Sequence, residues 1–169
     1  THNTAPYGGG LRGYGGFADA CLMADNTAEY GGGANLYSSF HVRRARLEAN
    51  SAGVDGGGVY GYGTLVNCLV THNTAGNDAG GCWLGGTLIN CTVSSNTAMR
   101  SGGGLYNAYC GVYNAILDGN TPDNWTNIAA DVVYRYTCTT PTNGVPSGIG
   151  CIAGAPGFVN AGAGDWRLD

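Results

Sequence analysis

The stretch LVNCLVTHNTA, residues 65–75, returns 23 residues later as LINCTVSSNTA, residues 88–98. Working outward, Asn-Thr-Ala or a close variant begins at Asn3, Asn26, Asn50, Asn73, Asn96 and Asn120. The intervals are 23, 24, 23, 23 and 24 residues, so the chain is an internal repeat. Alignment on the asparagine brings out further columns. Three residues before it stand Met23, Leu47, Val70, Val93 and Leu117, and five before it Cys21, Ala45, Cys68, Cys91 and Ala115. Eight before it stand Ala18, Val42, Leu65, Leu88 and Val112. Glycine clusters follow the first five asparagines, and Leu11, Ala34, Val59, Cys82 and Leu105 come next.

Two of these columns are small or apolar in every repeat, whereas the position between them varies freely: Leu22, Arg46, Leu69, Thr92, Ile116. Alternation with period two marks a strand. No stretch carries a helical apolar stripe, and the glycines oppose helix. Strands this short gain stability only by stacking. The reading is all-β: a right-handed parallel β-helix, a single-stranded solenoid of 23–24 residues per coil and about seven coils. The whole chain, 1–169, forms one domain, with regular coils over 1–120 and irregular final coils over 121–169 that include a loop excursion around 138–151. Each coil needs bends where one residue takes the left-handed conformation, which asparagine tolerates. The repeated asparagine is assigned to one bend and to a coil-to-coil side-chain ladder. Asn67, Asn90 and Asn114 mark a second bend, and the glycine clusters a third.

Composition excludes several classes. Glycine makes up 32 of 169 residues, only 11% are charged, and all seven basic residues are arginine. A net charge of -4 argues against nucleic acid as a partner, and no apolar run is long enough for membrane insertion. Residues 1–5 match residues 71–75, so the first coil begins in its middle, and neither end reads as a cap. The expectation is either a piece of a longer solenoid or copies stacking head to tail, since a heterologous contact that does not close gives a filament.

Gly32-Gly33-Ala34, Gly57-Gly58-Val59, Gly80-Gly81-Cys82 and Gly103-Gly104-Leu105, with Val70-Thr71-His72-Asn73 and Val93-Ser94-Ser95-Asn96, carry a resemblance. The pattern resembles the repeats of chlamydial polymorphic outer-membrane proteins. It is still more similar to secreted bacterial β-helix repeat proteins of pectin-lyase-like architecture. The polymorphic proteins favour Phe where this chain has Met, Leu or Val. The tail, through Tyr136–Pro141, Pro156–Val159 and Gly164–Leu168, resembles the last coils of the secreted proteins. The resemblance implies the fold and a bacterial, extracellular or cell-surface setting. That architecture hosts lyases, hydrolases, adhesins and passive stalks, so function must come from the residues.

Seven cysteines suit an oxidising compartment. Cys138 and Cys151 flank the loop that leaves the repeat and form the candidate disulfide. Cys68 and Cys91 read as small core thiols, with a disulfide between stacked coils as the alternative. No cysteine or histidine spacing suggests zinc, and no cofactor is expected. Glycan-active enzymes need converging carboxylates, but Asp19, Asp25, Glu29, Glu48, Asp55, Asp78, Asp118, Asp123 and Asp131 fall at different offsets. Asp55 and Asp78 alone stand to meet on neighbouring coils. Arg43, Arg44 and Arg46, beside Glu48, read as a solvated face. Tyr60, Trp83 and Tyr106 follow the core residue in consecutive coils as an outward aromatic ladder, fit either to steady the solenoid or to meet sugar rings. Asn90-Cys91-Thr92 and Asn124-Trp125-Thr126 match the N-glycosylation pattern, and exposed Thr and Ser could carry O-linked sugar. The expectation is a non-catalytic extracellular structural protein, a filament or stalk subunit whose partner is itself, head to tail. A glycan-binding adhesin is the first alternative and a polysaccharide lyase or hydrolase the second.

Overall fold

The computed structural model describes residues 1–109, 111–128, 132–140, 144 and 146–168. Cys110, Asp131, Pro141 and Asp169 lie outside the described residues. The chain forms an all-parallel β-solenoid with four faces. The first face begins with Thr4–Tyr7, the second with Leu11–Gly13, the third with Gly16–Asp19 and the fourth with Leu22–Ala24. These faces carry 5, 6, 7 and 7 strands, so the stack holds about six turns rather than seven. Every pairing within them is parallel; in the regular coils it joins residues one repeat apart, as in Thr64↔Thr87 and Val70↔Val93, and in the last coils the spacing shortens, as in Leu105↔Trp125 and Cys138↔Ile152. Identical columns therefore stack, and each inward column is a continuous line of buried side chains.

The core follows the columns of the repeat. Leu47, Val70, Val93 and Leu117 on the fourth face are fully buried, as are Val42, Leu65, Leu88 and Val112 on the third. Ala34, Val59, Cys82 and Leu105 close the second face from inside. Short strands, each with one or two inward residues, thus share one core running the length of the stack.

The bends differ in part from expectation. Asn67, Asn90 and Asn114 do take positive φ, at 54°, 53° and 48°. The glycine corner is left-handed at Gly8, Gly31, Gly56 and Gly102, with Ala79 taking the same role at φ 63°. At the Asn-Thr-Ala corner, however, the strained residue is the one before the asparagine: Asp25, Ala49, His72 and Ser95, with φ between 53° and 56°. That shift turns the asparagine side chain into the core instead of leaving it on the bend. A fourth corner, between the second and third faces, runs through Tyr37-Ser38-Ser39, Gly61–Gly63 and Gly85-Gly86. Its glycines fall at different offsets from coil to coil, which hides it in the repeat.

The tail departs from the coils. After Ile152–Ala153 closes the fourth face, Phe158–Asn160 and Asp165–Leu168 form an antiparallel hairpin across a 3₁₀ turn, Ala161–Ala163. The last strand is therefore a hairpin arm and not a further coil. The hairpin folds back along the outside of the fourth face, and the Trp166 ring lies 6.0 Å from that of His72.

Candidate functional site

The repeated asparagines form the ladder. The side chains of Asn26, Asn50, Asn73 and Asn96 are buried. Asn73 is typical. Its Nδ2 donates to Asn96 Oδ1 and to the carbonyl of Leu47, both at 2.9 Å. Its Oδ1 accepts from the backbone N–H and the Nδ2 of Asn50, each at 2.9 Å. Both donors and both lone pairs are therefore used. The same step runs from Asn3 to Asn26, from Asn26 to Asn50 and from Asn96 to Asn120, and in each asparagine-to-asparagine bond the donor points to the next coil. Asn120 passes it to Asn124, only four residues on, and Asn124 Nδ2 donates to Thr139 Oγ1 and to Thr140. Asn124 occupies the level of the last glycine in each earlier cluster. Those glycines are required, because a Cβ at Gly81 would lie 2.4 Å from the Gly104 oxygen and 3.1 Å from Asn96 Nδ2. Asn124 is itself buried, whereas Asn90, in the other acceptor pattern, is exposed.

The outward row of the second face carries the aromatic ladder. Tyr60 pairs with Trp83, and Trp83 with Tyr106. The Tyr60 and Trp83 rings stack at 4.7 Å with planes 26° apart. Tyr30 joins them, its ring 5.2 Å from Tyr60, and Tyr7 follows at 5.6 Å from Tyr30. Tyr106 keeps the register without a ring stack among the described residues. Rings stacked in this way cover each other's faces and turn edges outward, which suits cross-strand packing. Burial raises the pKa of the Tyr60 phenol, and the charge of Asp55 raises it further.

Two residues of this row stood outside the reading of the sequence. Arg12 and Asn35 precede Tyr60 in register. The Arg12 guanidinium lies 5.2, 5.3 and 5.5 Å from the ring centres of Tyr7, Tyr14 and Tyr37. Its Nη2 donates to the Tyr37 hydroxyl at 3.5 Å. Asn35 sits between Ala34 and Leu36, both inward, so alternation turns its side chain outward. It is nevertheless 1% exposed, and neither its Nδ2 nor its Oδ1 has a hydrogen-bond partner. An unsatisfied buried polar group costs about 1–3 kcal/mol. A polar residue on an outward row is the default, so nothing in the sequence could distinguish this one.

Asp55 and Asp78 do come together: the Asp78 backbone N–H donates to Asp55 Oδ1 at 3.0 Å. Burial raises the pKa of Asp55, and the Asp78 charge adds to the rise. Asp78 Oδ2 lies 4.0 Å from Arg100, and no group of three or more His, Cys, Asp or Glu side chains among the described residues is arranged to hold a metal. Among the described residues no third acid joins this pair in such a group.

The folded-back hairpin and the corner of the third and fourth faces enclose a cleft of about 530 Å³, lined by Arg44, Arg46, Asn67, Asn90, Trp166 and Arg167 among others. Its arginines are each engaged. Arg44 clamps Asp19 through two nitrogens, Arg46 meets Glu48 at 2.6 Å, and Arg167 clamps Asp165. Their charges are thus locally balanced, whereas Arg43, the third arginine of the run with Arg44 and Arg46, lies 4.3 Å over the Phe17 ring with its Nε buried and without a hydrogen-bond partner.

Cys138 and Cys151 both carry free thiols. Cys138 pairs in register with Ile152, so Cys151 stands one residue out of step and faces the core while Cys138 faces away from it. Cys68 and Cys91 are buried thiols on stacked coils; the Cys68 backbone N–H donates to Cys91 Sγ at 3.3 Å, and burial pushes the Cys91 thiol well up. No helix among the described residues is long and apolar enough to cross a membrane. Compared with known proteins, the chain matches no family model, no curated protein and no solved structure.

Proposed function

We propose that this chain is a non-catalytic structural protein of an extracellular or cell-surface assembly, a rigid β-solenoid unit of a filament or stalk. The observation that carries the reading is the polarised asparagine ladder. From Asn3 to Asn120 each rung repeats the last, and each donates in the same direction. The operation that seats one coil on the next is a translation along one axis. Coils of a second copy, or further coils of a longer chain, would be seated by the same operation, head to tail. A lysine-free, glycine-rich composition with few charges supports display outside the cell. Setting, partner and a bacterial origin belong to this proposal.

Electron microscopy of the purified protein tests it. Thin unbranched filaments are expected, with an axial repeat of roughly 30 Å, the height of about six strand spacings. Isolated short particles at every concentration would sink head-to-tail assembly.

A further inference from the structure

We infer that Asn35, with Arg12 and the tyrosines around it, forms a saccharide-binding subsite on the second face. The inference goes beyond the structural role and does not depend on it: a rod can stack with or without such a site.

Asn35 is an outward side chain that its neighbours cover almost completely, and both its donor and its acceptor lack partners. Buried polar groups are nearly always paired, so each exception calls for its missing partner. A planar amide offers one N–H side and one oxygen side by side. Its complement is a pair of adjacent groups, one accepting and one donating.

The surroundings select among such complements. Arg12 and Tyr60 flank Asn35 in register, and Tyr37 follows two residues later in the chain. Tyr7, Tyr30 and Tyr60 run as a line of rings along one corner, and Tyr14 stacks on Tyr37 at 4.5 Å with planes 2° apart. These are rings with polar phenol tips around a polar centre. Neighbouring hydroxyls of a pyranose supply both halves of the amide's complement, and the C–H faces of the sugar suit aromatic walls. A peptide strand is the weaker fit. The Asn35 strand is paired on both sides, so it offers no backbone edge of its own to augment. A net charge of -4 works against a phosphate-bearing nucleotide.

Access requires the groups that cover Asn35 to move. Arg12 is exposed and makes no ion pair among the described residues, so its guanidinium can swing off the tyrosines and donate to the incoming sugar. On the far side Tyr60, the next residue of the row, stacks on Trp83. The site therefore lies two coils earlier than the centre of the aromatic ladder.

Isothermal titration of the intact protein with chitotetraose, maltotetraose and tetragalacturonate tests the assignment. At least one probe is expected to bind in the micromolar to millimolar range. Asn35→Ala should weaken that binding by about tenfold or more, whereas Tyr106→Ala, on the same row but away from the subsite, should leave it unchanged. Binding of the neutral probes would make Arg12 a hydroxyl donor; binding of tetragalacturonate alone would make it a carboxylate partner. No binding of any probe, or equal binding by wild type and Asn35→Ala, overturns the inference and means that water or nothing satisfies the amide. If Asn35→Ala fails to fold, the exposed Arg12→Ala decides, and unchanged affinity there is equally fatal. Filaments seen without glycan binding would overturn this inference alone; binding without filaments would overturn only the assembly.

Discussion

Asn73 and Asn35 are both fully buried asparagines in the same solenoid, and they are opposites. Asn73, at the corner of the fourth and first faces, uses all four hydrogen-bonding positions of its side chain. Asn35, on the outer side of the second face, uses none. One polar group is part of the scaffold; the other is a cost the scaffold carries. Burial alone therefore does not identify a structural asparagine. Its hydrogen-bond ledger does.

The largest expected effect tests the satisfied side. Asn73→Ala leaves the Asn50 backbone N–H and Nδ2, the Leu47 carbonyl and Asn96 Oδ1 short of partners. At about 1–3 kcal/mol for each lost group, with some relaxation, the loss should be about 4 kcal/mol in chemical denaturation. A loss under about 1 kcal/mol would break the comparison from that side.

Gly81→Ala comes next. The new methyl group would press on the Gly104 carbonyl and the Asn96 amide of the following coil. Overpacking of this kind costs about 2 kcal/mol. The same substitution at Gly154, where a Cβ meets nothing within 4 Å, should be nearly silent in the same thermal melts.

Asn35→Leu tests the orphan. It replaces an unpartnered carboxamide with an apolar group of similar shape, and should raise stability by about 1 kcal/mol. A clear destabilisation would mean that the amide has a partner in solution, such as bound water.

The smallest effect is electrostatic. Burial and Asp78 raise the Asp55 pKa, so the folded protein holds that proton more tightly than the unfolded chain does. Stability from this group therefore falls as pH rises from the ordinary aspartate range through the raised value. Above that window, ionised Asp55 is a liability. Asp55→Asn should raise the melting midpoint slightly at pH 7, and the gain should vanish below the ordinary range. An equal gain at all pH values would assign the effect to something other than charge.

The fold was legible because a solenoid writes the same sentence several times. Columns such as Leu47, Val70, Val93 and Leu117 declare the core by repetition, and the asparagine ladder is visible for the same reason. Features that do not repeat were hidden. The left-handed residue before each asparagine is Asp25, Ala49, His72 or Ser95, a set with no common chemistry, because the corner constrains backbone and not side chain. The C-terminal hairpin has no second copy to align with. Asn35 is hidden in another way: its column holds Arg12, Tyr60, Trp83 and Tyr106, so an amide there looks like ordinary surface. Only exposure and bonding together single it out. Tyr60, Trp83 and Tyr106 share one row in register, yet the sequence could not say that the first two rings would spend their faces on each other.

The ladder has a consequence for the protein's size. Excising residues 50–72 would join Ala49 to Asn73, recreating a left-handed residue followed by a rung, and Asn26 would then donate to Asn73 as it now does to Asn50. Nothing in the rungs records how many precede or follow. Length is thus a free parameter of this architecture, adjustable by whole cassettes of 23 or 24 residues, while the distinctive second-face side chains of Arg12, Asn35 and Tyr60 mark a position along the rod that no cassette exchange elsewhere would move.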